Sequence, residues 1–449
     1  MQIEDLFANI GDNPLTDAFT IEKKKTLPSI DKSKKMPAMP SWEGGRFEDF
    51  AREAYTASAG RPLALYLHVP FCHHRCTFCP FYINKTYDTF SGHYTSLLSK
   101  DIDITAKILQ GVIKERSVQT VYFGGGTPSD MEADDLAQII RQLHDTFNIA
   151  SDAEITVEGR VSGFTADKGK AWTQAGANRF SIGVQTTDTR LRKKLSRQSD
   201  RAQIAATLNG LCESGSAVVV DLMYGLPGQT PEMLVDDIRF LAEETGIHGL
   251  DLYELRVFPD SALDKAIIKG SMPPVADVLE QARMFGAAHA KLLSYGFENF
   301  SAKHWRRDPK ERSIYNTLAK KQTDMIPFGS GGGGRIGNIS LGVTGNIGEY
   351  EEMIGAGMKP TKRIMKSPLL PQSGFIHELN NAFEKLRMPA PEQWPQHLRT
   401  QGEKLAAQWR DSGLLSTNKD ELGLPLTCAG TFWGARMNKM LADFVNTSV

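Results

Sequence analysis

Cysteine is scarce in this chain, five in 449 residues, and so is any imbalance of charge. Lys plus Arg number 52 against 53 for Asp plus Glu, a net charge of −1. That balance removes the global electrostatic case for a nucleic-acid or membrane partner. No run of about 18 apolar residues occurs, so no membrane-spanning helix is expected. The first residues, MQIEDLFANIGDN, lack the basic start and apolar centre of a secretory signal. Five cysteines in a chain of this length do not make a disulfide framework. No internal repeat of about 20–50 residues stands out. These absences leave the expectation of a cytoplasmic globular protein, long enough for a large barrel and a cap.

What is present is concentrated. Cys72, Cys76 and Cys79 stand in CHHRCTFC, a C-x3-C-x2-C spacing directly after the apolar run LALYLHVPF. Three thiolates can hold three irons of a four-iron cluster and leave the fourth iron open to a small molecule. The competing reading is structural zinc, which usually wants four ligands in two pairs. His73 or His74 would have to supply the fourth, and neither has the usual pair spacing to a cysteine. Cys212 and Cys428 lie far away and read as small buried hydrophobes.

From residue 61 strands and helices alternate. Strands are expected at 63–68, 120–123, 154–158, 179–184, 217–222 and 250–255. Between them run amphipathic stretches such as Leu136, Ile139, Ile140, Leu143 and Phe147. Six such units predict an α/β fold, a partial (β/α)6 barrel whose active site lies at the C-terminal ends of its strands. Residues 1–60 read as an N-terminal arm. Its lysines, Lys23, Lys24, Lys25, Lys32, Lys34 and Lys35, suit either a solvated stretch or a charged flap over an anionic ligand. Residues 61–345 take in the barrel and a less regular extension with the glycine run Gly329–Gly334. Residues 373–449 read as a small helical, winged-helix-like domain.

The chemistry-bearing residues fall after the strands. Gly124, Gly125 and Gly126 precede Thr127 and Pro128, where missing side chains let backbone approach a ligand. Glu158, Gln185 and Asp221 are expected at the ends of strands three, four and five. An acid at the tip of the buried run AVVVD needs a partner or a ligand.

In order and spacing, LYLHVPFCHHRCTFC, YFGGGTP, TVEGR, RFSIGVQ, KLSRQ and DLMYGLPGQTPE resemble the oxygen-independent coproporphyrinogen dehydrogenase-like radical S-adenosylmethionine (SAM) family, over roughly residues 61 to 445. The resemblance implies a [4Fe-4S] cluster on Cys72, Cys76 and Cys79 and two molecules of SAM. It implies that Tyr66, Gly125 and Glu158 contact the cluster-bound SAM. Phe78, Gly126, Thr127, Gln185, Arg197 and Asp221 would line the second SAM position, with Arg256 a looser match.

Two departures narrow the function. Phe81 stands where the decarboxylating dehydrogenases have a further cysteine. The stretch His304–Leu318, HWRRDPKERSIYNTL, does not match the histidine-asparagine-x-x-tyrosine-tryptophan motif of the heme chaperones. That segment, LTDAFTIEKKKTLP and PFGSGGGG resemble instead the heme-utilisation radical SAM methyltransferases that make anaerobilin. The implied reaction takes hydrogen from the methyl group of a second SAM, adds the resulting methylene to a meso carbon of heme and opens the ring. The products are a methylated linear tetrapyrrole and iron, formed without oxygen. A heme chaperone without turnover and a coproporphyrinogen III dehydrogenase remain the alternatives. Implied partners are heme, a low-potential electron donor such as flavodoxin, and a downstream tetrapyrrole reductase or heme carrier. Arg306, Arg307 and the lysine arm are candidates for the heme propionates. His68, His73, His74 and His304 are candidates for its iron.

Overall fold

The computed structural model describes residues 12–19, 46–81, 84–321, 323–366 and 373–447. The lysine-rich stretch 23–35 lies outside the described residues.

β1 (Leu63–Val69) shows how the barrel strands are built. Leu63, Leu65, Leu67 and Val69 are buried in the main apolar core. Ala64, Tyr66 and His68 alternate onto the other face. The following strands are β2 (Ser117–Gly125), β3 (Asn148–Arg160), β4 (Arg179–Gln185), β5 (Ala217–Tyr224) and β6 (Gly249–Glu254). They pair in chain order, all parallel. Beyond them come β7 (His304–Arg306), β8 (Asp324–Phe328), β9 (Gly333–Ile336), β10 (Ile339–Val343) and β11 (Thr361–Lys366). With the short strand Glu298–Asn299 they complete one sheet of twelve strands.

The parallel part has seven strands, one more than the sequence pattern predicts. β8 lies parallel to β1 on its free side. It is anchored by Asp324, whose carboxylate pairs with buried Arg116 at 2.9 Å. β8 is short and runs straight into glycines, so it offers no period to read. Among the described residues no ladder joins its two edge strands. β7 pairs antiparallel with β6 at one side, and β9 antiparallel with β8 at the other.

Helices cover the outer face: α3 (Phe90–Ile108), α4 (Ala133–Thr146), α5 (Ala166–Ala175), α7 (Arg201–Cys212) and α8 (Pro231–Glu244). Their starts are written locally. Thr165, Asp200 and Thr230 cap α5, α7 and α8 by accepting from backbone N–H groups of the first turn. α6 (Thr189–Lys194) and α9 (Ala262–Ile268) sit near the strand ends, and α10 (Val278–Ser294) packs on α8.

The segment after β7 crosses the barrel floor. Glu311 takes a buried ion pair from Arg179 at 3.0 Å. α11 (Ile314–Lys320) is then held by Glu154, which accepts from Ile314 N and Tyr315 N at 2.9 and 3.0 Å. At the opposite end the glycine turn after β8 is pinned by Asp101 of α3. Its carboxylate accepts from Gly329 N, Tyr350 Oη and Lys359 Nζ. Tyr350 belongs to α12 (Ile347–Gly355).

Within the first 60 residues, α1 (Pro14–Asp17) lies against α10 and the last helix. α2 (Phe47–Ala57) buries Phe47, Phe50, Ala51 and Tyr55 in the main core. The C-terminal unit holds α13 (Ser373–Glu384), α14 (Arg399–Asp411) and α15 (Cys428–Thr447) with a short antiparallel ladder, Arg387–Met388 on Leu424–Pro425. Trp394, Trp409 and Trp433 fill its own apolar core together with Ala18 and Phe19. Among the described residues no helix is long and apolar enough to cross a membrane.

Candidate active site at the barrel mouth

The loop after β1 carries the three cysteines to the C-terminal ends of the strands. All three are free thiols, Cys72 and Cys76 buried and Cys79 partly so. Several bonds hold the loop. Gly126 N donates to Val69 O at 2.7 Å, His73 N to Asp130 Oδ2 at 2.8 Å, and Leu263 N of α9 to Thr77 O at 2.9 Å. Gly125 and Gly126 are needed as glycines. Gly125 has φ +113° and a Cβ there would stand 2.7 Å from the His68 ring; one on Gly126 would stand 2.4 Å from Phe71 O.

The sulfurs are met by donors. Thr127 Oγ1 and Arg160 Nη2 each lie 3.3 Å from Cys72 Sγ. Arg197 hydrogen-bonds Cys76. Burial pushes the Cys72 thiol up, and Thr127 and Arg160 pull against it. Among the described residues no three His, Cys, Asp or Glu side chains converge on a single metal ion. Three free thiols with cationic donors beside them suit an anionic multi-iron cluster.

The residues expected at the cluster-bound SAM come together. Tyr122 Oη donates to Glu158, and Gly125 N–H does so too. Burial raises the Glu158 carboxyl above the usual range, while these bonds and Arg179 oppose the rise. Tyr66 Oη bonds His68 Nδ1 at 3.1 Å, and Tyr66 stacks beside Tyr122 and Tyr315. Burial drops the His68 imidazole to about 4, so it stands neutral at the mouth.

Those expected at the second SAM come from several elements: Gln185 from β4, Asp221 from β5, Gly126 and Thr127 from just past β2, Arg197 from just past α6 and Phe78 from the cysteine loop. Arg197 Nη1 donates to Gly183 O at 2.5 Å, and its guanidinium lies 5.8 Å from the centre of the Phe78 ring. Gly183 stands opposite Asp221 in the ladder. Gln185 ends β4 with φ +71°, a left-handed conformation that marks the strand's exit. Thr127 is turned onto Cys72, so its hydroxyl already has a partner in the cysteine loop. Arg256 is exposed just past β6, where it opposes the rise that burial gives the Glu254 carboxyl.

Several expectations are corrected by position. Asp221 is no strand tip: β5 continues through Tyr224, and the side chain points among Asp251, Glu158 and Arg179. Burial first, then repulsion from Asp251 and Glu158, raises its carboxyl to about 8. Glu158 likewise precedes the end of β3, which runs to Arg160. Arg306 and Arg307 lie on the floor, far along β6 from the mouth, because β7 pairs with the first residues of β6. Arg306 pairs with Glu298 at 2.8 Å, and Arg307 donates to the carbonyls of Ala242, Thr245 and Ile247. Neither guanidinium is placed for a propionate at the mouth. His304 is buried between Asp251 and Glu311, at 3.0 and 3.2 Å, and is not presented to a heme iron. Gly329 and Ser330 are packed inside, and Gly331 lies against the His68 ring. His73 and His74 are exposed on the cysteine loop.

Sequence reasoning missed Tyr122, Arg160, Asp251 and Tyr315. The arginine of TVEGR follows a residue already singled out, so its motif was the available signal. Tyr122 likewise opens the motif YFGGGTP and Tyr315 lies in the stretch 304–318, whereas Asp251 is marked only by the alternation of its strand and by contacts between distant segments.

Residues 66–241 match the radical SAM superfamily. The chain belongs to this superfamily of enzymes, which use a [4Fe-4S] cluster and SAM. It is 37% identical to the anaerobilin synthase of Escherichia coli O157:H7 over 87% of this chain and 86% of that protein. It is 30% identical to the heme chaperone HemW of Escherichia coli K12, over 61% of this chain and 70% of that one. Among solved structures, coproporphyrinogen III oxidase (HemN) from Escherichia coli superposes with a TM-score of 0.73 at 22% identity, over 90% of this chain and 95% of that one, a likeness of fold.

Proposed function

We propose that the protein is a radical SAM methyltransferase that opens the heme macrocycle without oxygen, yielding a methylated linear tetrapyrrole and iron. The observation that carries the reading is the convergence of these groups on the cysteine loop. Arg197 hydrogen-bonds Cys76 and lies over Phe78 of that loop, while Asp221 and Glu158 share the buried charges beside it. The likeness to anaerobilin synthase along most of both chains supports the choice of reaction.

When bound, the cluster supplies the electron that cleaves SAM and so starts the radical chemistry. Cys72, Cys76 and Cys79 would hold it. Glu158, fixed by Tyr122 and by Gly125 N–H, is set to accept from the ribose hydroxyls of the first SAM. Arg197 offers its guanidinium to the carboxylate of the second, and Asp221, whose carboxyl burial and its acidic neighbours keep largely protonated near neutral pH, offers a hydrogen-bonding partner to its polar groups. α9 and the strand ends shield the mouth with the apolar cluster Leu195, Met223, Leu226, Leu255 and Leu263, against which Phe78 packs.

A flat apolar macrocycle also finds apolar surface at this end. Phe81, Phe258 and Ile268, on the cysteine loop, past β6 and at the end of α9, are 71%, 38% and 79% exposed. A low-potential acidic donor such as flavodoxin suits the exposed Arg75 of the cysteine loop and Arg190, Lys193 and Lys194 of α6. A tetrapyrrole reductase or heme carrier would take the product.

Anaerobic incubation with heme, SAM and a strong one-electron reductant tests the reading. Loss of the heme Soret band with formation of a methylated linear tetrapyrrole is expected. Intact heme with no SAM cleavage would point to a chaperone. Vinyl formation on coproporphyrinogen would point to a dehydrogenase. Either result overturns the proposal.

A further inference from the structure

Arg160 ends β3 and reaches across the mouth to the cysteine loop. Its guanidinium divides between two acceptors: Nη1 donates to His74 O at 2.6 Å and Nη2 to Cys72 Sγ at 3.3 Å. The first bond fixes the backbone two residues past Cys72. The second places a permanent positive charge on the sulfur itself. Thr127 Oγ1 brings a neutral donor to the same sulfur. A small cavity of about 60 Å³ adjoins this fork, walled by His74, Arg160, Arg192, Ser196, Arg197 and Gln198. Arg192 is spent on backbone, donating to Val184 O, Thr186 O and Ser199 O. Arg160 is therefore the cation of that wall that both touches Cys72 and braces the loop that carries it.

Hydrogen bonds and positive charge at cluster sulfurs stabilise the reduced, more negative state. A guanidinium does this without a proton to lose, and its fork can serve two acceptors at once. We propose that Arg160 is a positioning residue for the cluster, which sets the loop geometry at Cys72 and raises the potential at which the cluster takes up its electron. The inference rests on the cluster assignment and is independent of which macrocycle is the substrate.

The test is a redox titration of the reconstituted enzyme without SAM or heme, followed by electron paramagnetic resonance, with iron and sulfide assayed in the same samples. Arg160→Gln is expected to keep its cluster while its midpoint moves to more negative potential. At a fixed potential the ratio of reduced to oxidised cluster falls roughly tenfold. Arg160→Lys, which keeps the charge and loses the fork, is expected to fall between the two. A loaded Arg160→Gln with the wild-type midpoint overturns the proposal. A measurement on the unmutated residue covers the case in which neither variant loads. In enzyme carrying 15N-arginine and Arg197→Lys, pulsed resonance is expected to detect 15N coupled to the reduced cluster, and absence of that coupling overturns the proposal as well. Failure of heme turnover alone, with these results intact, would count against the proposed reaction and not against Arg160.

Discussion

Tyr315, carried by a helix on the barrel floor, stacks on Tyr122 with ring centres 3.9 Å apart and planes inclined by 22°. Tyr122 in turn donates to Glu158. A residue from the floor thus braces a carboxylate at the mouth. Tyr315→Ala is expected to weaken SAM binding about 3- to 10-fold, the worth of one aromatic pair. Tyr315→Phe should leave it unchanged, since the hydroxyl's partner is Met325 sulfur at 4.0 Å. Equilibrium binding to cluster-loaded enzyme measures both, and equal loss in the two variants would refute the bracing role.

Tyr122→Phe acts on the same carboxylate differently. It removes a bond that favours the charged form of Glu158, whose carboxyl burial has already raised. SAM affinity is expected to need a higher pH in the variant than in the wild type. A pH profile of binding reads the displacement, and superimposable profiles would exclude the coupling.

His304 gives the fold a pH dependence. Burial alone would lower its imidazole, but Asp251 and Glu311 overcome this and hold it at about 9, above the ordinary 6.5. The folded state therefore keeps a proton that the unfolded chain releases. Its stabilisation is full below about pH 6.5 and is lost as pH rises through about 9. Thermal unfolding of the wild type should fall across that window, and His304→Gln should show a shallower slope. Parallel slopes would contradict the assignment.

Asp101 is the acceptor on which the glycine turn, α12 and Lys359 converge, with Lys359 Nζ at 2.7 Å. Asp101→Ala leaves a buried ammonium without its counter-charge. It should cost about 3–5 kcal/mol in urea unfolding. A loss below about 1 kcal/mol would show that the pair is not needed.

Much of this was legible where the signal is local. The cysteine spacing, the glycine triplet and the helix caps each depend on neighbours in sequence. The alternation of apolar runs with amphipathic stretches placed six of the parallel strands. Position along a strand was harder. Asp221 and Glu158 read as tips because polar residues interrupt apolar runs, yet both point into a barrel interior that tolerates charge among Arg179, Tyr122 and Asp251. Arg306 and Arg307 read as substrate clamps because a sequence does not say at which end of the barrel a returning strand will pair. Tyr315 and Arg160 gain their roles only from partners that the fold brings to them.

Leu15 packs into both apolar cores, and Trp433 Nε1 donates to its carbonyl at 3.2 Å across a separation of 418 residues. Such a long-range closure is slow to form, because its loop entropy must be met before the contact rewards it. It also has to wait for α15 to leave the ribosome, after the strands and the cysteine loop. The clasp between α1 and α15 therefore forms later than the parts that hold the cluster, and cluster loading can precede it.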